Sequence, residues 1–386
     1  MNQNTLLNRY REIRKESENL AAPLSIEETR IQSMPDVSPP WWNLGHTSWF
    51  FAANILKPYD LSVPEDEHYH YLLNSYYNSL GNMLPRPDRG KISTPSTEMI
   101  YAYRHSVDER MEALLKREST DEQIRNLVTV SLNHEQQHQE LMVTEIKHIR
   151  WQNPFDLRPI LEGKTIPDVA GPELKFHSVP GGDTTIGQDE KEWCYDNETP
   201  RHRRFIQPFQ AANRLITNRE YLAFMEDGGY SNSLLWLSDG WEAVKKHRWT
   251  APLYWEWRAD RWWLWTLYGN RPVPGDAPVT HISFYEAQAF ATWYGARLLT
   301  EFEWETVALY REAHQENGQF LENRIYEPGF QTGQEGWLGT AWEWTTSHFE
   351  PYPGFKPFPG ALTEYNAKFM NNVRVLRGGS CATPRS

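Results

Sequence analysis

From the N-terminus to about residue 150, apolar residues recur every three or four positions, the spacing of helices that bury one face. Residues 3–20 show it first. A second segment, WNLGHTSWFFAANILK at 42–57, comes after the stop signal SPP and is apolar on almost every side. A third covers 96–117, with Ser96 or Thr97 in the cap position. The fourth begins at STDEQ, where Ser119 stands three residues before Glu122 as in a capping box, and runs to about Ile149. Four amphipathic helices in this length predict a bundle.

Beyond residue 150 the texture changes. Residues 151–172, WQNPFDLRPILEGKTIPDVAGP, carry four prolines and two glycines and read as a linker after a domain ending near 155. The remainder of the chain is a series of short β-like runs rich in Gly, Pro, Asn and Trp. Helical patterns are expected there at 217–227 (TNREYLAFMED) and 283–295 (SFYEAQAFATWYG). No internal repeat or low-complexity tract interrupts either half.

The fourth helix carries the chemistry. Its inward stripe reads Ile124, Leu127, Ser131, His134, His138, Leu141, Glu145, in steps of three and four. Two histidines at i and i+4 aim both imidazoles at one place, and burying them without a partner is costly, so a bound metal is expected. The same stretch, HEQQHQE, contains HExxH, the zinc peptidase pattern, in which Glu135 would be the general base. That reading fails on the residues after His138: QELMVTEIKHIR offers no glycine and third histidine in the HxxGxxH arrangement. The third ligand should come from another helix. His46, in WWNLGHTSW, is the candidate, since it lies on a strongly apolar segment where a solvated histidine is out of place. His68, His70, His105 and His148 lie in more polar contexts and are expected to be exposed. Three neutral imidazoles with open positions suit a redox metal such as Fe(II), and zinc accepts the same set.

Composition narrows the partners. Lys and Arg number 39 against 51 Asp and Glu, a net charge of -12, and no basic run offers a phosphate backbone a place to bind. The two cysteines, Cys194 and Cys381, form neither a disulfide framework nor a CxxC site, so a reducing cytoplasm is the expected compartment. The N-terminal MNQNTLLNRYREIRKESENL is amphipathic and charged, without the apolar core of a signal peptide, and no membrane span is visible. Of 18 Trp, eight lie between Trp236 and Trp265, which reads as large-residue packing in a loop-rich fold.

An upstream HTSW histidine and an HxxxH pair, together with VPGG, TNREY, ISFYEA, ARLLTEFEWE, AWEWT and VLRGGS further along, resemble the iron(II)-dependent sulfoxide synthases of ergothioneine biosynthesis, the hercynine oxygenases. The resemblance covers nearly the whole chain. It implies an α+β protein: a DinB-like four-helix bundle over 1–155, a linker at 156–172, and a formylglycine-generating-enzyme-like domain, related to C-type lectins, over 173–386. It also implies Fe(II) held by His46, His134 and His138, and O2-dependent joining of a thiol sulfur, from cysteine or γ-glutamylcysteine, to imidazole C2 of hercynine. Gln137 matches a family position that contacts the imidazole substrate. In NSYYNSLGNMLPRPDRG the tandem Tyr76 and Tyr77 match the version in one branch of the family, where a tyrosine supplies a proton during oxygen reduction; without that resemblance they read as ordinary amphipathic packing. Arg86 and Arg89 match positions that anchor the carboxylate of the sulfur donor, although an RPDRG segment also suits a solvated turn. Glu135 and Glu140 are expected in supporting roles around the ligands.

Against the family pattern, the sequence stops at LRGGSCATPRS, ahead of a segment rich in Arg, Phe and Asn and a final strand. This leaves two expectations: a site completed from Tyr365 or Trp342, or a second domain of reduced stability and activity. Related readings are a synthase acting on histidine (the ovothiol route) or on a selenium donor, another thiol-binding metalloprotein, and a non-catalytic binding module. Cys194 and Cys381 do not reproduce the copper-binding pair of true formylglycine-generating enzymes.

Overall fold

The computed structural model describes residues 3–61, 66–117, 122–153, 169–189, 191, 193–311, 318–330 and 336–385. The chain divides into two compact units. One comprises Met1–Asp156 with Pro357–Tyr365, the other Leu157–Lys356 with Asn366–Ser386.

In the first unit the longer helices are α1 (Gln3–Ala21), α2 (Pro40–Phe51), α3 (Asp66–Leu73), α4 (Thr97–Leu115) and α5 (Glu122–Gln152). Helix α2 is the centre of the bundle. Proline occupies its first turn, where a missing N–H costs nothing, and every residue from Pro40 to Phe51 is buried. Its continuation departs from the expected helix: Ala52–Leu56 widens into a π-helical turn and Lys57–Tyr59 tightens into a 3-10 turn before Asp60 closes it in the left-handed conformation. Ser96 caps α4 by accepting from Met99 N at 3.2 Å. The capping signal expected at Ser119 lies outside the described residues.

The stripe on α5 needs one correction. Ile124, Ser131, His134 and Glu145 of that stripe are buried, and so are Val128, Leu132, Glu135, Gln139, Met142, Val143 and Ile146 beside it, whereas Leu141 is 47 % exposed. A helix sandwiched by α1 on one side and α2 on the other buries a face wider than a single line of i+3 and i+4 steps, and that face rotates with the 3.6-residue period.

The second unit is built of short antiparallel pairings. Strands β1 (Phe176–Val179) and β4 (Phe209–Ala212) pair, as do β2 (Gly182–Ile186) and β3 (His202–Ile206). The meander β5 (Trp255–Arg258), β6 (Arg261–Thr266) and β7 (Gly269–Pro272) comes next, and β8 (Glu343–His348) pairs with β9 (Arg374–Arg377). Helices α6 (Asn218–Glu226) and α8 (Phe284–Trp293) occupy the two places the sequence marks, each opened by a capping box, Thr217 with Glu220 and Ser283 with Glu286. Helices α7 (Ser238–His247) and α9 (Glu301–Tyr310) add to the expected set. The signal for α9 is present in LLTEFE, since Thr300 and Glu303 form a third capping box.

The tryptophan-rich stretch is mostly packing. Trp236 joins Tyr221, Phe224, Val244 and Phe290 in one core, and Trp265 joins Tyr254 and Leu264 in another. Trp257, at 58 % exposed, faces outward. The arginine of the VLRGGS motif, Arg377, is engaged by Glu301, Glu305 and Tyr352 at 3.1–3.2 Å, which ties β9 to α9. Cys194 and Cys381 are free thiols. Among the described residues no helix is long and apolar enough to cross a membrane.

Candidate metal centre

Helix α2 supplies His46 and α5 supplies His134 and His138, and their ligand atoms all lie within 4.8 Å of one another. Ring centroids are 5.0 Å apart for His46 and His134, 4.8 Å for His46 and His138, and 4.7 Å for His134 and His138. It is the one such group of three or more potential metal ligands among the described residues.

Outer contacts decide which nitrogen each ring offers. His46 Nδ1 lies 2.6 Å from the carbonyl oxygen of Leu73, which can only accept, so Nδ1 carries the proton and Nε2 is left as a lone pair. His138 Nδ1 lies 2.8 Å from Asn43 Oδ1, with the same consequence. His134 brings its Nε2 to 3.3 Å from His46 Nε2, while its Nδ1 is buried without a hydrogen-bond partner. Burial lowers the pKa of all three rings, and their mutual repulsion adds to this for His46 and His134; His138, with Arg89 nearby, is pushed down to about 3. Three neutral imidazoles with nitrogens converging in one buried space fit a divalent cation.

The layer around the rings is aromatic and cationic. Trp42 stacks on His46 at 4.5 Å and 12°, and the Arg89 guanidinium lies 3.5 Å from the centroid of the Trp42 ring. Phe50 stacks on His134 at 4.0 Å.

Glu135 faces away from this centre. It is fully buried and accepts from Arg14 Nη1 at 3.0 Å, from Arg104 Nη2 at 2.6 Å and from Ser17 Oγ at 2.7 Å. Burial alone would raise its pKa, but Arg104 and Arg14 bring it down to about 2. A carboxylate so engaged between α1 and α4 is not free to activate a water, which separates this HExxH from a peptidase site.

The other candidates fall in two groups. Tyr77 is fully buried, its ring 5.7 Å from Phe50 and 6.0 Å from Trp49, and its hydroxyl lies 3.4 Å from that of Tyr76. Burial raises the pKa of both phenols. Gln137 is exposed beside the two ligand histidines, and its Oε1 accepts from Tyr365 at 2.6 Å. The Tyr365 ring stands 5.8 Å from His134 and 6.4 Å from Phe50. The neighbouring Glu364 accepts from the backbone N–H groups of Asn78, at 2.7 Å, and Ser79, at 2.9 Å. The segment Pro357–Tyr365 therefore joins the tyrosine loop to Gln137.

The two arginines differ. Arg86 is exposed and donates to the carbonyl of Asp36 at 3.2 Å. Arg89 is 1 % exposed and engaged by Ser38 Oγ at 2.7 Å and Ser75 Oγ at 3.2 Å, and burial pushes its pKa down to about 9, so it stays charged at neutral pH. Two of the outlying histidines also differ from expectation. His68 and His105 are exposed, whereas His148 is 5 % exposed and His70 is half-buried, accepting from Trp49 Nε1 at 3.1 Å.

Sequence reasoning misses Trp42, Asn43 and Glu145 as parts of this site. Asn43 has a readable signal: an amide three residues before His46 on an otherwise apolar helix needs a buried partner.

Residues 9–142 match the DinB superfamily, and residues 167–322 match the sulfatase-modifying factor enzyme 1-like domain. The chain is 33 % identical over 282 residues to the hercynine oxygenase of Mycolicibacterium smegmatis, covering 65 % of this chain and 63 % of that protein. It is 29 % identical over 391 residues to the hercynine oxygenase of Mycolicibacterium thermoresistibile, covering 92 % and 83 %. With that of Mycobacterium tuberculosis it shares 36 % identity over 211 residues, 48 % of each. Two of these alignments thus span less than two thirds of the relative.

Proposed function

We propose that this chain, a homologue of the hercynine oxygenases with a DinB domain ahead of a sulfatase-modifying-factor-like one, is a non-haem iron(II)-dependent sulfoxide synthase of ergothioneine biosynthesis. Its substrates are O2, hercynine and a small thiol, either cysteine or γ-glutamylcysteine. The observation that carries the reading is the convergence of His46, His134 and His138 within 4.8 Å inside a buried, aromatic-walled site.

Bound Fe(II) would supply O2 activation and open positions for the thiolate and the imidazole. The overall change balances: the thiol loses its S–H proton, imidazole C2 loses its hydrogen, one oxygen atom ends on sulfur and the other leaves as water.

Each part of the site has work that its chemistry allows. His46, His134 and His138 hold the metal as neutral ligands. Gln137 and Tyr365 present an amide and a phenol side by side, either of them able to bond the imidazole nitrogen that the metal leaves free and so fix the direction of C2. Arg86, the exposed guanidinium, is able to take a carboxylate from solvent. Arg89 is engaged by Ser38 and Ser75, so it acts on the thiol's carboxylate chiefly as a fixed positive charge. Tyr77 and Tyr76 provide protonated phenols at neutral pH, able to donate where charge develops on oxygen.

The test is anaerobic loading with Fe(II), then O2 with hercynine and either cysteine or γ-glutamylcysteine, products being read by mass. A sulfoxide conjugate with one thiol establishes the reaction and its donor. Turnover only with histidine, or only with a selenium donor, would replace the substrate assignment, and no oxygen consumption with any of them would overturn the reading.

A further inference from the structure

Asn43 and Glu145 are neither ligands nor substrate contacts in the reading above, yet they are buried to 1 % and 3 % exposure directly behind His138. His138 Nδ1 meets Asn43 Oδ1 at 2.8 Å. Asn43 Nδ2 donates to Glu145 Oε2 at 2.6 Å and to the Ser38 carbonyl at 3.3 Å. The other carboxylate oxygen, Oε1, accepts from Ser38 N at 3.3 Å, and the hydroxyl of Ser38 accepts from Arg89 Nη1 at 2.7 Å.

The direction of each bond comes from what the atoms can do. Both Glu145 oxygens face N–H donors, the arrangement a carboxylate satisfies. Burial raises the pKa of this carboxyl well above its usual range, against the opposing pull of the bonds from Ser38 and Asn43 and of the charges of Arg86 and Arg89. The Ser38 carbonyl can only accept, so it orients the Asn43 amide whatever the charge on Glu145. Together the two acceptors fix the amide with its nitrogen toward them and its oxygen toward the ring. An amide oxygen there requires His138 to carry its proton on Nδ1, which leaves Nε2 bare. A reversed amide would impose the opposite tautomer, in which Nε2 is protonated and cannot bind a cation.

We infer that Glu145 is a positioning residue for the metal centre: through Asn43 it holds His138 in the ligating tautomer, and through Ser38 it holds Arg89 beside the same site. The inference rests on the reading that His46, His134 and His138 bind a metal. It also places the ligand shell and the candidate donor-binding arginine on one buried carboxylate.

Co(II) is a suitable probe, its affinity measured by chelator competition on the full metal-free chain and its visible d–d spectrum reporting the ligand set. Glu145→Gln leaves one acceptor and adds a donor where two acceptors are needed. It should weaken Co(II) binding roughly 10- to 100-fold, the usual effect of losing an outer partner of a ligand histidine, and alter the spectrum. Asn43→Asp combined with Glu145→Gln restores the run of bonds from His138 to Ser38 N with the carboxyl group moved one residue inward, losing only the 3.3 Å bond to the Ser38 carbonyl: the introduced carboxylate accepts from His138 and from the introduced amide, whose oxygen accepts from Ser38 N. This double variant should regain most of the affinity and the wild-type spectrum, a rescue that a merely structural role would not produce.

His138→Ala separates the two levels. If wild type takes up no Co(II), or His138→Ala binds it as tightly, the metal reading itself fails. If both behave as expected but Glu145→Gln binds like wild type, or the double variant stays as weak as the single one, the relay is overturned. Should Glu145→Gln fail to fold, the double variant decides: folded with near wild-type affinity it supports the relay, and folded with weak affinity or unfolded it overturns it.

Discussion

The Tyr365 hydroxyl donates to Gln137 Oε1 at 2.6 Å across a sequence separation of 228 residues. The two residues flank the histidine cluster from different segments of the first unit, and each satisfies the other. An imidazole held at the metal by one nitrogen would exchange that bond for one to its other nitrogen. Tyr365→Phe should therefore raise KM for the imidazole substrate, by about 1 kcal/mol or fivefold for one lost neutral hydrogen bond, while leaving the KM of the thiol unchanged. Steady-state kinetics with each substrate varied in turn checks this; equal effects on both would assign Tyr365 a structural role.

Glu135 illustrates how a motif can mislead when its residues face opposite ways. The carboxylate compensates Arg14 and Arg104, both buried, and with Asp108, which accepts from Arg14 Nε at 2.6 Å, it holds α1, α4 and α5 together. Replacing it with Gln leaves guanidinium charge in the core with reduced compensation. The expected loss is about 3–5 kcal/mol of unfolding free energy, the range for breaking one partner of a buried ion pair. Urea denaturation of the first unit's transition measures it. A peptidase-type base would give the contrary result, unchanged stability with lost turnover.

Much of this is legible in the chain because it is local. The 3.6-residue period exposes α1, α2, α4 and α5, capping boxes expose α6 and α8, and the i, i+4 histidines aim at one spot whatever packs against them. His46 can be paired with them only because a histidine on so apolar a helix needs a reason. The features that stay hidden are non-local or geometrically fine. The π-helical turn after Phe51 leaves no trace in a hydrophobic pattern. Leu141 falls on the predicted stripe but outside the face that α1 and α2 cover. The link from Glu145 through Asn43 to His138 joins residues about a hundred positions apart and has no spacing rule.

In the second unit, Glu343 accepts from Trp304 Nε1 at 2.9 Å, and burial pushes its pKa from 4.5 up to about 7. The fold thus favours the protonated carboxyl. Its stabilising contribution is fully present below about pH 4.5 and is lost as pH rises through about 7. Glu343→Gln keeps an acceptor for Trp304 and cannot ionise. The variant's stability relative to wild type should therefore grow between about pH 4.5 and 7.5, as read by urea denaturation at both ends of that window. A difference that does not change with pH would show that Glu343 does not titrate there.

The tyrosine pair yields the sharpest chemical prediction. Tyr77 is packed against Phe50 and Trp49, and its hydroxyl is 3.4 Å from that of Tyr76, too long for a strong bond. Burial keeps both protonated at neutral pH. If one of them supplies the proton that steers oxygen to a single S-oxidation with C–S bond formation, its removal should leave O2 consumption in place and redirect the product. Tyr77→Phe and Tyr76→Phe, singly and together, are expected to shift turnover from the sulfoxide conjugate to the sulfinate of the thiol, with the larger shift in the variant that loses the donor. Mass spectrometry of the product mixture gives the ratio directly. An unchanged ratio in the double variant would remove tyrosine from the mechanism and transfer the proton delivery to water or to Tyr365.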